Sequence, residues 1–289
     1  MLATTLKPPM LKPQGKSHVI LSRPAPTQGI NTIDPLAQMG EGFAVEMDNM
    51  IAQESGVSMR EGFYEYAYNI DGGNPVRTVV SYDATPPNSM GNPLVESELF
   101  AVTDHGIFLV EGGANCAGLA PMIALSGTAN AGRMSCVQFT TNGGNYLIAC
   151  SEVDGAFLYD GVTWIKMHST GGPGPGVISG VDPALFVQVV AWKKRLGFVQ
   201  RESSKAWFLP VDVVGGAASV FDFGPLLEHG GVLLAMLNWT QDAGSGVDDR
   251  LVILGSLGDL AVYTGSDPTN PSAFACAGVW YVGQMPIGR

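Results

Sequence analysis

Asp242, Asp248 and Asp249 stand in the run Asp242-Ala-Gly-Ser-Gly-Val-Asp-Asp-Arg250 and have the spacing best suited to chemistry in this chain. Three carboxylates beside flexible glycines make the oxygen-rich donor set that a hard cation such as Ca²⁺ takes. The D-x-[DN]-x-[DN]-G order of a calcium loop is not there, and a solvated connecting loop explains the same residues. His18, His105, His168 and His229 lie far apart, and Cys116, Cys136, Cys150 and Cys276 have no CxxC spacing, so no zinc cluster is expected. Cys136 and Cys150 suit neighbouring strands, but a disulfide needs a distance that sequence does not set. A sialidase needs clustered arginines for a carboxylate. Arg195 and Arg250 instead stand directly before a strand in two repeats, which suits a structural role repeated from sheet to sheet. No P-loop, dinucleotide fingerprint, GxSxG or HExxH occurs. These readings together name no catalytic residue and no cofactor, and lead to the expectation that the protein is not an enzyme.

The elements that would position any site are more legible than the site. Four strand–turn–strand segments recur, and the residues opening their second strands are Gly106, Gly155, Lys205 and Asp259, at spacings of 49, 50 and 54. A period of ~40–50 residues carrying short strands is the mark of a propeller blade. One small antiparallel sheet cannot bury both faces; stacking sheets around an axis does so. The second strands, 107–110, 156–159, 206–209 and 260–263, should then occupy equivalent places in successive blades. Residues 76–82 make a strand, and 134–140, 185–190 and 233–239 read as innermost strands. Residues 278–283 read as one strand of an unfinished blade. About four blades result, against the ~4–8 of a closed propeller, so closure within this chain stays open. The fold class is all-β, a β-propeller of repeated antiparallel blades with an extended N-terminal arm.

Of the 289 residues, 46% are hydrophobic and 14% charged, which supports a large core and excludes disorder for most of the chain. No run of about 18 apolar residues suggests a membrane helix. Residues 1–29 are expected as an extended arm, because Pro8, Pro9, Pro13, Pro24 and Pro26 block helix. Through Lys7, Lys12, Lys16 and Arg23, the first 33 residues carry +4 and no acid. The other eleven basic residues face all 26 acidic ones, −15. Such an arm is attracted to an acidic neighbouring subunit, whereas the acidic body disfavours tight DNA binding. Residues 30–70 are expected to hold short helices: Asp34-Pro35 reads as an N-cap with Pro at the first helical position. Tyr64, Tyr66 and Tyr68, at period 2, read as one face of a strand, packed or sugar-binding. Blades are expected over 71–289.

Three stretches resemble a known family. Gln28-Gly-Ile-Asn-Thr-Ile-Asp-Pro-Leu-Ala-Gln-Met39, continuing through Met47-Asp-Asn49 to Gly56-Val-Ser-Met-Arg-Glu-Gly-Phe63, looks like the opening of phage tail hub or nozzle proteins, also called packaged-DNA stabilisation proteins. Trp192-Lys-Lys-Arg-Leu-Gly-Phe198, Ala206-Trp-Phe-Leu-Pro-Val-Asp212 and the run 215–224 look like their mid-chain blade; 242–250 and 258–268 look like the next. The resemblance covers about half the chain. It implies a structural virion protein made in the host cytoplasm: a β-propeller subunit, usually six copies in a ring below the portal and adaptor. Genome DNA would pass through as cargo. The readings from other classes are a carbohydrate-binding or carbohydrate-active propeller, supported by Tyr64 to Tyr68 and Trp280-Tyr281, and a general protein-interaction propeller.

Overall fold

The computed structural model describes residues 24–83, 97–242 and 247–283, with the backbone alone at 241, 242, 247 and 248. The chain divides between Tyr64 and Glu65 into two compact units.

In the first unit, local polar chemistry decides the backbone. The Asn31 side-chain carbonyl accepts the N–H groups of Ile33 and Asp34 at 3.0 and 3.1 Å, and its amide donates to the Asp34 carboxylate at 2.8 Å. This turn uses the Asp34 side chain that would have capped a helix. One further turn, Gln38 N–H to the Pro35 carbonyl, precedes Gly40 and Gly42. The helices expected over 30–70 are therefore corrected: no α-helix occurs among the described residues, and the stretch holds only a 3-10 turn at Ile70–Gly73. The unit's regular element is a hairpin of β1 (Met50–Gln53) and β2 (Gly56–Met59). None of its described residues is buried.

The second unit begins with β3 (Ala67–Tyr68). The longer strand expected through Tyr64 and Tyr66 is corrected to this two-residue element; Tyr64 and Tyr66 are exposed outside it. The first sheet takes β4 (Thr78–Tyr82), β5 (Glu98–Val102) and β6 (Gly106–Val110). The chain then leaves through β7 (Ala114–Asn115), which pairs in parallel with β3, and returns as β8 (Ile123–Ala124) beside β6. The second sheet is a plain meander of β9 (Met134–Thr141), β10 (Gly144–Ser151), β11 (Gly155–Tyr159) and β12 (Trp164–Lys166). A short strand β13 (Ile178–Ser179) follows. The third sheet holds β14 (Phe186–Trp192), β15 (Arg195–Gln200) and β16 (Lys205–Phe208), then β17 (Gly216–Ala217) parallel to β13, and β18 (Ser219–Asp222) beside β16. The fourth holds β19 (Leu233–Asp242), β20 (Val247–Gly255), β21 (Asp259–Gly265) and β22 (Phe274–Tyr281).

Four successive four-stranded antiparallel sheets, each ordered outward from its first strand, make this an all-β protein of propeller type. The four repeated second strands are β6, β11, β16 and β21, the third strand of every sheet. The first strands β9, β14 and β19 lie side by side, as innermost strands do. One expectation is corrected: residues 278–283 do not open a further blade, because β22 starts at Phe274 and completes the fourth sheet.

The core sits between consecutive sheets. Phe100, Val102 and Ile107 of the first meet Leu147, Phe157 and Tyr159 of the second. Ile148, Cys150 and Leu158 of the second meet Phe186, Leu196 and Phe198 of the third, with the Phe186 and Phe198 rings stacked at 4.5 Å. Trp192, Val199 and Phe208 of the third meet Leu251, Ile253 and Tyr263 of the fourth. Alternation along each strand supplies both clusters of an inner sheet. Cys136 and Cys150 do lie on adjacent strands, but Cys136 is registered with Ala149 and Cys150 with Ser135, so they address opposite faces and form no disulfide. Burial pushes the Cys136 thiol up to about 12. No helix among the described residues is long and apolar enough to cross a membrane.

Candidate interaction surface

The sites anticipated from sequence resolve into structural contacts. Residues 243–246 lie outside the described residues, as do the side chains of Asp242 and Asp248. Asp249 belongs to β20 rather than to a loop, and the Thr240 hydroxyl across the ladder donates to its carboxylate at 2.7 Å. Its carbonyl accepts the Trp192 indole N–H at 3.2 Å. Among the described residues no three His, Cys, Asp or Glu side chains converge to hold a metal ion. Lys7, Lys12, Lys16 and Arg23, the arm cations, lie outside the described residues.

Two histidines have carboxylate partners. His105 Nδ1 is 2.7 Å from an Asp71 oxygen that also accepts the Thr103 hydroxyl at 2.7 Å. Burial works to raise the Asp71 pKa, but the bonds from Thr103, His105 and Asn74 outweigh it and hold the carboxyl below its ordinary value. A nucleophile would have to present its hydroxyl to the imidazole; Thr103 gives its proton to the acid instead. His229 Nδ1 lies 2.7 Å from Asp259, whose other oxygen accepts the His229 backbone N–H at 2.9 Å. The His229 ring stacks on Tyr281 at 4.2 Å. Burial opposes ionisation of Asp259, yet both bonds from His229 and its charge outweigh that and depress its pKa. Asp259 opens β21, and His229 sits in the connection from the third sheet, so the pair staples a connector to a blade turn. Arginines serve the same end. Arg195 pairs with Asp267 at 3.3 Å, and Arg201 donates to the Val153 carbonyl at 2.7 Å, joining the third sheet to the second.

The feature that sequence reading missed is a face. Each of the first three sheets turns one apolar face onto the sheet that follows. The fourth sheet has an equivalent face, and its register assembles it row by row. Leu237, Val252 and Val262 form one row with Gly278. Ala235, Leu254, Leu260 and Trp280 form the next. Trp239, opposite Arg250, extends it along β19. No sheet follows among the described residues, and Leu237, Trp239 and Trp280 are 51%, 51% and 52% exposed. Gly278 makes room for the Trp280 ring: a Cβ there would stand 2.6 Å from Trp280 Cη2. A contiguous apolar sheet face with aromatic anchors is what a protein partner covers. The signal was present as the unbroken apolar runs 251–254 and 260–262, which make both faces of a strand apolar, but sequence alone does not say which of the two a neighbour occupies.

No protein-family model matches the chain, and no curated protein does. Solved structures do. One is a crystal structure of BBS1N in complex with ARL6DN, soaked with lead, at 13% identity and TM-score 0.38, over 72% of this chain and 55% of that one. Another is the same complex soaked with mercury, at 10% identity and TM-score 0.31, over 66% of this chain and 64% of that one. This chain thus spans between half and two thirds of those chains, and likeness at this distance carries no argument about partners. The family resemblance is corrected here, because these neighbours are not phage tail proteins. The stretches that carried it have local explanations. Lys193 and Lys194, both at positive φ, form the tight turn between β14 and β15 that any such hairpin needs, and Gln28 to Met39 is a string of turns.

Proposed function

We propose that this protein is a non-catalytic protein-interaction module whose docking surface is the open face of the fourth sheet. The observation that carries the reading is the row pattern of that face: the Leu237–Val252–Val262–Gly278 and Ala235–Leu254–Leu260–Trp280 rows are apolar throughout, polar Arg250 and Thr264 stand in the next row, and the face is aligned like the three faces buried inside the stack. Burying apolar area contributes about 25 cal/mol per Å². The half-exposed Trp239 and Trp280 have the residue type that dominates interface energetics. The carbohydrate reading draws no platform from Trp280 and Tyr281, since neighbours in a strand address opposite faces and the Tyr281 ring is stacked on His229.

Oxidative footprinting of Trp239 and Trp280 tests the proposal. Labelling is expected to fall several-fold when dilute purified protein is returned to extract of the cells that make it. Equal labelling in both settings would remove the face as a docking surface. A narrower reading, a ring-forming conduit subunit, is favoured by the net charge of −11, which repels a passing polyanion. Closed rings in electron micrographs of the concentrated protein would support it, and monomers would sink it.

A further inference from the structure

The turn between β9 and β10 holds the chain's single Asn-Gly pair, and its glycine is one the fold does not need. Register closes the hairpin at Thr141 opposite Gly144, leaving Asn142 and Gly143 as a two-residue loop, both exposed. Glycine in such a loop ordinarily supplies positive φ. Gly143 does not adopt it, and a Cβ there would stand 3.5 Å from Thr141 Oγ1 and 3.6 Å from Tyr146 Oη, ordinary contact distances. What glycine does provide is an unshielded backbone nitrogen next to the Asn142 side chain. The Asn142 amide donates at 2.6 Å to the carboxylate of Asp212, in the connection between β16 and β17. Asp212 in turn donates its N–H to the Lys194 carbonyl in the β14–β15 turn at 2.9 Å. These two bonds tie a turn of the second sheet to a turn of the third.

We propose that Asn142 is a site of spontaneous deamidation and that its product opens this tie. Exposed turns open locally at little cost, which frees the Asn142 amide from Asp212. The Gly143 N–H is bonded to the Thr141 hydroxyl at 3.0 Å rather than to a ladder carbonyl. Its nitrogen loses that proton to a base in the solvent and attacks Asn142 Cγ. The new N–C bond closes a five-membered imide, the Cγ–Nδ2 bond breaks, and the side-chain nitrogen takes a proton from water and leaves as ammonia. Water then opens the ring. Addition at Cγ leaves aspartate at position 142; addition at the backbone carbonyl leaves isoaspartate, with the chain running through the side chain. Water is the only co-reactant, and nothing is oxidised or reduced. Either product puts a carboxylate where the amide donor stood. Two carboxylate oxygens 2.6 Å apart repel unless one is protonated, so at neutral pH the contact with Asp212 must open. Isoaspartate also adds one carbon to the backbone of a two-residue turn. Each event adds a negative charge to a chain of net −11.

Ageing of the full chain tests it. Purified protein is held for weeks at mildly alkaline and at mildly acidic pH, and peptides spanning each asparagine are followed by mass spectrometry. Asn142 is expected to gain the mass of an amide-to-acid exchange, partly as isoaspartate. The gain should be several-fold faster at the alkaline pH, where the attacking nitrogen loses its proton more readily, and several-fold faster than at the other asparagines of the sheets. Gly143→Ala shields that nitrogen with a methyl group the turn accommodates, and should slow the gain several-fold. Asn142→Asp supplies one product directly. Amide hydrogen exchange at 141–144 and 209–214 should then quicken several-fold at neutral pH, with circular dichroism unchanged. Asn142→Ala, which removes the donor without adding a charge, should quicken it less. An Asn142 that keeps its amide while urea-unfolded protein loses it would overturn the site, as would equal rates in wild type and Gly143→Ala. Exchange in Asn142→Asp no faster than in Asn142→Ala would overturn the repulsion.

Discussion

Residues 24–64 and the four sheets are built from the same local parts, tight turns and antiparallel hairpins, yet only one of them has an interior. In the sheets, every apolar row of an inner blade meets a row from its neighbour, and side chains such as Phe186, Phe198 and Leu251 lose all contact with water. In the N-terminal unit, Ile33 is 91% and Phe63 86% exposed, and backbone bonds with the Asn31 and Gln53 side chains hold the turns. The lesson is that hydrogen-bonded turns define a conformation, while packed layers supply the free energy that makes it independent.

Paired substitutions sharpen that contrast. Phe198→Ala, in the cluster between the second and third sheets, should cost about 3–5 kcal/mol, read as a lowered denaturation midpoint. Phe63→Ala should leave the same midpoint within about 0.5 kcal/mol. If the two shift it alike, the N-terminal unit has a core after all. The next effect is in the backbone. Gly155 opens β11 at φ +84°, and a Cβ there would stand 2.5 Å from Ala184 Cα and 2.6 Å from the Pro183 carbonyl oxygen. Gly155→Ala should therefore destabilise by roughly 2 kcal/mol or more, whereas Gly62→Ala, which meets open space, should be nearly silent by the same assay.

The smallest expected effect is electrostatic and confined to the sheets. Asp259 has its folded pKa below the ordinary 3.8. Its contribution is thus fully present above the unfolded value and is lost as pH falls below that value, through the depressed folded one. Asp259→Asn should cost about 1–3 kcal/mol at pH 7, since the His229 N–H and ring lose a charged acceptor. The difference between variant and wild type should shrink on acidification towards pH 3. A pH-independent difference would show that Asp259 acts by packing rather than by charge.

The blade repeat was legible because its signals are local. Short apolar strands recurring at nearly constant spacing, with second strands opening at Gly106, Gly155, Lys205 and Asp259, set each hairpin without reference to the rest. Legibility failed where one polar group could outbid another. The Asp34-Pro35 helix start was overruled by Asn31, three residues earlier, and the pattern through Tyr64 and Tyr66 met a partner strand only at Ala67–Tyr68. It failed again at β22, where an apolar run close to the end of the fourth repeat reads equally as the start of a new blade or the completion of the old one. The Asp242 to Asp249 run suggested a cation loop because the carboxylates are close in sequence, but β20 takes Asp249 into a ladder.

Sequence by itself determined the all-β class, the four repeated strand–turn–strand segments and the blade period, since these follow from residue-by-residue backbone preference and spacing. Tertiary structure alone decided that the inner sheets bury both of their apolar faces while the fourth buries one and leaves the other open. That choice depends on contacts between segments some fifty residues apart, as between Val199 and Ile253, and no local pattern records it.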